Sequence, residues 1–320
     1  MKLHQDRDVF EELVLATADG MGLPQAYVEK DYWVTKVLGN LASSEHHENF
    51  VFKGGTSLSK VHGLIHRFSE DVDLAVCQPE GGSARLRRQL KAVEAEITKD
   101  LTYLPDHPGE SKHGRFRKTF YEYPRLDGNA SLGPASDELL LEINAMATPE
   151  PNSKGRVESL VAGHLSVSGN GDLVNRYELE SFQLKVLDVN RTAAEKVIAL
   201  VRASREGEDD RYLRSRIRHV YDLCMIFRHS EHAAYLENEG FREMLRAVCD
   251  ADRKVFPQAS EWLDPPLHEA DLFADPSATW PRVSDEFQGR FAQLVYAGEL
   301  PTSDEVIDLL SRLARILESL

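Results

Sequence analysis

Two aspartates in a short alternating segment are the residues of this chain best suited to chemistry. Residues 71–76 read D-V-D-L-A-V, which alternates acidic and apolar residues at the two-residue period of a β-strand. The apolar side chains then enter a core on one face, while Asp71 and Asp73 share the other. Like charges so close together repel each other unless a cation lies between them. Because Mg²⁺ binds carboxylates and phosphate oxygens, the pair predicts a metal site for phosphoryl chemistry, with Mg²⁺ or Mn²⁺ as the ion.

A glycine-rich turn precedes these aspartates. The segment G-G-T-S at residues 54–57 lets the backbone approach a phosphate closely, and its last two residues supply hydroxyl and amide donors. A helix predicted over about Ser57 to Ile65 places Lys60 where its ammonium group can reach a triphosphate. The candidate nucleotide-binding residues, including two that lie just before the aspartates, are Gly54, Gly55, Thr56, Ser57, Lys60, Arg67 and Ser69.

A third acidic ligand is predicted from residues 138–146, E-L-L-L-E-I-N-A-M. Their apolar residues alternate as in the aspartate segment, which leaves Glu142 and Asn144 on the opposite face of a second strand. Pairing of the two strands would bring Glu142 to the aspartates. Glu142 is therefore the third candidate metal ligand, although the same alternation is also typical of a strand acid that only faces solvent.

These segments and three others resemble a known family. The chain resembles the AbiEii/AbiGii nucleotidyltransferase toxins in five segments. Two of them, G-G-T-S-L-S-K and R-F-S-E-D-V-D-L, contain the glycine turn and the aspartates. The others are V-E-K-D-Y-W-V at 28–34, A-A-E-K at 193–196 and H-V-Y-D at 219–222. The resemblance spans most of the chain. It implies a polymerase-β-like nucleotidyltransferase that acts as the toxin of a type IV toxin–antitoxin or abortive-infection system.

The resemblance also implies an activity and partners. Known members include enzymes that add nucleotides to the 3′ end of tRNA, which stops translation. We therefore expect this chain to transfer a nucleoside monophosphate from a nucleoside triphosphate to that acceptor. A cognate winged-helix antitoxin is the implied protein partner. Transfer to a protein or a small molecule would use the same site. A non-catalytic nucleotide-sensing module is a further alternative, but the intact aspartates and glycine turn argue against it.

By resemblance, a lysine that holds the triphosphate and a supporting acid correspond to Lys196 and Asp222. Residues Thr192 to Glu195 read as a capping box, so a helix that continues to about Arg205 would carry Lys196 in its first turn. A cation there opposes the helix dipole unless an anion lies opposite, which favours phosphate binding over a solvated lysine. For Asp222 the alternative is a structural ion pair with Arg218, one turn earlier.

Patterning predicts an α/β (α+β) fold with a helical C-terminal domain, and the resemblance implies that the catalytic domain is polymerase-β-like with a mixed sheet. Met1 to about Leu38 is predicted to be helical, with a second helix from Val28, and Phe182 to Leu187 reads as a last strand. Pro149 to Gly155 reads as a loop. We place the boundary near Asp188, which gives a nucleotidyltransferase catalytic domain over 1–188 and a helical domain over 189–320.

Several classes of protein are excluded by composition. With 320 residues, 42% of them hydrophobic, the chain can bury one large core or two medium ones. It has no apolar run of about 18 residues for a membrane span and its start lacks the apolar core of a signal peptide, so we expect a cytoplasmic protein with no membrane partner. Its three cysteines lack C-x-x-C spacing, which argues against a disulfide framework or a zinc finger.

The net charge of −15 argues against broad nucleic-acid binding, because phosphate contacts need a positive surface. A tRNA acceptor therefore requires local basic patches. Two candidates are a predicted helix with Arg85, Arg87, Arg88 and Lys91, and a segment with Phe116 and Phe120 interleaved among Lys112, Arg115, Arg117 and Lys118. Either patch is equally explained as a solvated charged face.

Overall fold

The chain folds into two compact units. The computed structural model describes residues 1–69, 71–77, 82–126, 137–206, 209–255 and 260–320. The first unit comprises Met1–His62 and Phe68–Leu187, and the second comprises Gly63–Arg67 and Asp188–Leu320. The second unit therefore includes a short segment that lies, along the chain, between the glycine turn and the aspartates.

The described strands of the first unit form one mixed sheet of eight. The strands are β1 (Phe50–Lys53), β2 (Val72–Val76), β3 (Thr102–Tyr103), β4 (Ser111–His113), β5 (Phe116–Glu122), β6 (Leu139–Asn144), β7 (Asn152–Val157) and β8 (Phe182–Leu187). Their order is β3-β5-β6-β2-β1-β8-β7, and β4 pairs with β5. The pairs β1·β8 and β2·β6 are parallel, and the remaining pairs are antiparallel. The mixed sheet expected from the sequence is confirmed.

Helices cover one face of this sheet. The helices of the first unit are α1 (Arg7–Met21), α2 (Gln25–Ala42), α3 (Gly54–Lys60), α4 (Ser83–Ile97), α5 (Leu160–Val167) and α6 (Gly171–Arg176). Alternate strand residues such as Val72, Leu74 and Leu141 share one buried cluster with Trp33 of α2 and Leu90 of α4. Because side chains alternate along a strand, the intervening positions of β2 and β6 lie on the opposite face.

The second unit is helical. Its helices are α7 (Val189–Arg205), α8 (Arg211–Ser215), α9 (Ile217–Phe227), α10 (Ser230–Leu236), α11 (Glu239–Val255), α12 (Asp271–Ala274), α13 (Pro276–Gln288) and α14 (Ser303–Glu318). The segment 63–67 joins this unit through a β-bridge between Arg67 and Val295 and through the Tyr296 amide, which donates to the His66 carbonyl at 3.0 Å. In the described part of the chain, no helix has both the length and the apolar character to cross a membrane.

The two helices nearest the candidate residues differ from their predicted bounds. The helix expected over Ser57 to Ile65 begins earlier, at Gly54, and ends at Lys60. The helix expected from Thr192 begins at Val189, because the Asp188 carboxylate caps it by accepting the Asn190 amide at 2.8 Å. The proposed capping box is therefore wrong. Lys196 lies in the second turn of α7, where the helix dipole acts more weakly.

The segment predicted as a loop at Pro149 to Gly155 is also different. Residues from Asn152 onward form β7, which pairs only with β8 at the edge of the described sheet. Edge strands tolerate glycine and neighbouring prolines, because one side of the strand needs no ladder partner. The strand predicted at Phe182 to Leu187 is confirmed as β8.

Candidate active site

Adjacent strands bring two of the predicted metal ligands together. β2 and β6 pair in parallel with Asp73 directly beside Glu142 in the register. Neighbouring strands are about 4.8 Å apart, so these two carboxylates share one face within reach of a single ion. Both side chains are half-buried. The strand pairing predicted from the two alternating patterns is confirmed.

Two lysines flank this acidic pair in the same row of the sheet. Lys53 of β1 is the register partner of Asp73, and Lys118 of β5 is the register partner of Glu142. The row therefore reads lysine, aspartate, glutamate, lysine across four adjacent strands. From the sequence, Lys118 is visible only as part of a basic patch and Lys53 is not singled out, since their positions depend on pairing between distant strands.

Gly54 lies directly against Asp73. Its φ of +82° is in the left-handed region, and a Cβ atom built on it would lie 2.2 Å from Asp73 Oδ2. A residue with a side chain would be strained by the backbone conformation and would also displace the carboxylate. The turn after β1 thus positions one of the two central acids.

The hydroxyl groups of the turn are engaged in local hydrogen bonds. Thr56 Oγ1 donates to the main-chain carbonyl of Asp71 at 2.6 Å and lies 2.9 Å from Ser69 Oγ. Ser57 Oγ donates to the Gly54 carbonyl at 2.9 Å. Thr56 and Ser57 are buried, and the bonds of Thr56 connect α3 to the segment that leads into β2. Asp71 itself lies one residue before the strand begins.

Lys60 forms an ion pair with Asp31 of α2, and both side chains are largely buried. Asp31 also accepts the amide of Leu160, at the start of α5, at 2.8 Å. This carboxylate therefore connects three helices of the first unit. A triphosphate would have to compete with Asp31 for the ammonium group of Lys60.

The acidic pair fits a divalent metal. Magnesium is commonly held by one or two protein carboxylates and completes its shell with water and substrate phosphates, which is the donor set that Asp73 and Glu142 can begin. Among the residues that the structure describes, no three His, Cys, Asp or Glu side chains are arranged as a metal site. Asp71 lies one residue before β2, and its place as a third ligand stays a prediction.

The remaining predicted residues form a buried cluster in the second unit. Arg67 binds Asp222 through two hydrogen bonds, from Nε to Oδ1 at 2.7 Å and from Nη2 to Oδ2 at 2.8 Å. Lys196 Nζ lies 2.7 Å from Asp222 Oδ2. All three side chains are buried. The sequence suggested the neighbouring Arg218 as a partner for Asp222, whereas Arg67 is 155 positions away.

Burial and charge set the protonation of this cluster. Burial raises the pKa of Asp222, but Arg67 and Lys196 outweigh this effect and hold that pKa well below its usual range. Burial lowers the pKa of Lys196, and Asp222 opposes the change. His219 Nδ1 lies 3.5 Å from Lys196 Nζ, and burial together with this cation lowers the pKa of His219 well below its usual range. His219 is therefore an uncharged neighbour of Lys196, a role that the H-V-Y-D motif alone does not indicate.

A family model establishes the identity of the chain. The model described as "Nucleotidyl transferase AbiEii toxin, Type IV TA system" matches residues 36–309. This chain belongs to the AbiEii family. It is thus a nucleotidyltransferase, and the resemblance seen in the sequence motifs is confirmed. A type IV system also implies a nucleoside triphosphate substrate and an antitoxin partner for this AbiEii enzyme.

A solved structure supports the fold of the AbiEii enzyme. It is similar to MenT4, a nucleotidyltransferase toxin from Mycobacterium tuberculosis H37Rv, with a TM-score of 0.59 and 17% sequence identity. The similarity covers 97% of this chain and 90% of that one. At this identity the comparison shows a shared fold. No curated protein matched the chain.

The close approach of Gly54 to Asp73 leads to a prediction. We expect Gly54→Ala to lower nucleotidyl transfer by at least about tenfold, because the new Cβ must displace the Asp73 carboxylate from its position beside Glu142. The matched control is Gly22→Ala, since Gly22 has a φ of +66° but nothing within 4 Å of its would-be Cβ. Steady-state transfer assays and thermal melts of both variants separate displacement from backbone strain. Equal activity of the two variants would contradict the assignment.

Proposed function

We propose that this AbiEii enzyme uses a divalent metal to transfer a nucleoside monophosphate from a nucleoside triphosphate to the 3′ end of tRNA, which would block translation. The observation that carries the proposal is the register of Asp73 beside Glu142, next to the turn at Gly54. Two carboxylates from neighbouring strands and a close-approach glycine turn suit a site for a metal-bound triphosphate.

In this proposal Asp71, Asp73 and Glu142 would together hold Mg²⁺ or Mn²⁺. The bound metal would stabilise negative charge on the phosphoryl oxygens during in-line displacement. Gly54 and Gly55 let a phosphate approach the main chain. The hydroxyls of Thr56 and Ser69 hold the turn against the aspartate segment, and that of Ser57 bonds within the turn. The acceptor hydroxyl attacks the α-phosphate, and pyrophosphate leaves.

The cluster in the second unit has a supporting role in the proposal. Asp222 keeps Lys196 and Arg67 charged and holds them in fixed positions. A lysine and an arginine fixed in this way are suited to phosphate oxygens. Asp222 is then a positioning residue that acts through the two cations.

The experiment that tests the reaction uses each of the four α-labelled nucleoside triphosphates with magnesium, total cellular RNA and total protein, and an Asp73→Asn variant in parallel. We expect label in the tRNA band for the wild type alone. Label in the protein fraction would keep the nucleotidyltransferase and replace the acceptor. The absence of label from every fraction, with nucleotide still bound, would favour the sensing-module alternative.

Metal dependence can be tested separately. After treatment with EDTA and removal of the chelator, we expect no transfer, followed by full recovery on adding Mg²⁺ or Mn²⁺. Isothermal titration with Mn²⁺ should give binding to the wild type and clearly weaker binding to Glu142→Gln. Transfer that persists in the chelated protein would rule out the proposed metal role.

The family implies an antitoxin, and we propose that this partner is a winged-helix protein with a basic surface. The toxin chain carries a net charge of −15, so a partner of positive charge would associate favourably. Loss of complex formation as the salt concentration rises would support this arrangement.

A further inference from the structure

One strand beside the acidic pair presents aromatic and basic side chains alternately. Phe116, Lys118 and Phe120 of β5 lie on the face that carries Glu142, because Lys118 is its register partner and side chains two residues apart share a face. All three are half-buried. Phe116 adjoins the exposed turn at Gly114 and Arg115 that connects β4 to β5. Lys118, between the rings of Phe116 and Phe120, therefore lies on the strand next to the one that carries Glu142.

The basic patch predicted from the sequence divides into two parts in the structure. Arg117 is buried on the opposite face and forms an ion pair with Glu94 of α4, and Lys112 binds Glu110 at 2.7 Å. These two cations are held by acidic partners. Lys118 lies on the face of the acidic pair instead, with its Nζ 5.9 Å from the centre of the Phe120 ring, and Arg115 is exposed.

The other predicted basic patch lies on the wrong side of the sheet for this site. Its arginines are on α4, whose Leu86, Leu90 and Val93 pack into the cluster that covers the face of Val72 and Leu74. Asp73 and Glu142 point to the other face. Of the two predicted basic patches, the one on the β4–β5 hairpin therefore contributes a residue, Lys118, to the face of the acidic pair.

The order of the strands places this hairpin opposite the nucleotide turn. Across the sheet the strands run β5, β6, β2, β1, and the turn at Gly54 directly follows β1. The turn and the hairpin therefore flank the acidic pair on opposite sides. In-line displacement at phosphorus needs the attacking hydroxyl and the leaving pyrophosphate on opposite sides of the α-phosphate.

We propose that Phe116, Lys118 and Arg115 form the docking surface for the acceptor, and that the acceptor is an unpaired RNA 3′ end. This inference rests on the proposed function and specifies its acceptor side. The ring of Phe116 stacks on an unpaired base, and the two cations contact backbone phosphates. Proteins commonly bind single-stranded nucleic acid with this combination of aromatic and basic side chains. Phe120 packs against His107 with ring centres 3.7 Å apart and supports the strand.

The test measures binding directly, without the reaction. Fluorescence anisotropy compares a labelled RNA hairpin that has an unpaired 3′ tail with the same hairpin made blunt, using the full-length protein over a range of salt concentrations. The variants are Phe116→Leu, Phe116→Tyr and Lys118→Met. The charge control is Lys99→Met, because Lys99 is exposed and follows the end of α4. Nucleotide affinity is measured for every variant to show that each remains folded.

We expect Phe116→Leu to weaken binding of the tailed RNA roughly 5- to 150-fold, and Phe116→Tyr to restore it. Lys118→Met should lower affinity and reduce the slope of log affinity against log salt by about 0.7, a signature that a structural role would not produce. Lys99→Met should change neither quantity.

Equal binding of tailed RNA by the wild type, Phe116→Leu and Lys118→Met would overturn the docking surface, as would the absence of RNA binding or equal affinity for tailed and blunt hairpins. These failures are distinct from failure of the proposed function. If tailed RNA binds through Phe116 but no nucleotide is transferred, the proposed reaction fails and the docking surface holds. If protein becomes labelled while RNA does not bind, the docking surface fails and the transferase activity holds.

Discussion

Asp73→Asn is expected to lower the rate of nucleotidyl transfer by roughly a thousandfold or more. The asparagine side chain has almost the same shape, so it fits the space beside Gly54 and Glu142 that the carboxylate occupies. It lacks the negative charge that a divalent metal needs, and it leaves Lys53 without its acidic register partner. The fold should be retained, since Asp73 is half-buried and the core lies on the other face.

A matched carboxylate provides the control for this variant. Asp137 is exposed and lies two residues before β6, the strand that carries Glu142, so Asp137→Asn removes one negative charge near the site without changing the acidic pair. Single-turnover transfer and Mn²⁺ titration should show a large loss for Asp73→Asn and no loss for Asp137→Asn. If Asp73→Asn retained wild-type transfer, the proposed metal site on β2 would be wrong.

Among the variants proposed for this protein, Asp222→Asn is expected to lose the most stability, about 3 to 5 kcal/mol in the free energy of unfolding. The substitution leaves Arg67 and Lys196 buried together without the carboxylate that binds both. Two like charges in a buried environment repel each other, and neither can recover its hydration. Urea denaturation followed by circular dichroism measures the effect.

The comparison variant for Asp222 is Asp285→Asn, which breaks an exposed ion pair of the same unit. Asp285 Oδ1 accepts from Arg214 Nη1 at 2.6 Å, and the carboxylate is mostly exposed to solvent. Exposed pairs contribute little, so this variant should unfold like the wild type. A comparable loss of unfolding free energy in both variants would show that the buried Asp222 cluster contributes no more to stability than an exposed ion pair.

Low pH should reduce the free energy of unfolding through the same carboxylate, that of Asp222. The pKa of Asp222 is lower in the folded protein than in the unfolded chain, so its contribution to stability is complete above the unfolded value of about 4 and is lost as the pH falls toward the folded value. The wild type should therefore lose stability below pH of about 4 more steeply than Asp222→Asn. Equal slopes of the unfolding free energy against pH in the two proteins would contradict the assignment of a negative charge to Asp222.

The central part of the site could be predicted from the sequence because it depends on local alternation. D-V-D-L-A-V and L-L-L-E-I-N each have one apolar face, and burying both apolar faces in one core leaves Asp73 and Glu142 on the same side of the sheet. The glycine turn was likewise visible from its composition, and its closeness to Asp73 follows from its place at the end of β1.

Other features depend on contacts between distant parts of the chain. No local pattern indicates that Arg67 and Lys196 both bind Asp222, or that Asp31 holds Lys60. The N-cap of α7 was predicted four residues too late, because Thr192 to Glu195 matches a capping box whereas Asp188 is the residue that caps the helix. The flanking lysines of the acidic row could not be assigned because strand order is a tertiary property.

The segment 63–67 has a consequence for how the protein can be divided. It lies between the glycine turn and Asp71 along the chain, yet it belongs to the helical unit, so the polypeptide passes from one unit to the other three times. A fragment that ends at Leu187 would keep Arg67 and lose Asp222, and a fragment that begins at Asp188 would do the reverse. Division of the chain near Asp188 would therefore separate Arg67 from Asp222, and the strand that carries Asp73 follows closely on a segment of the helical unit.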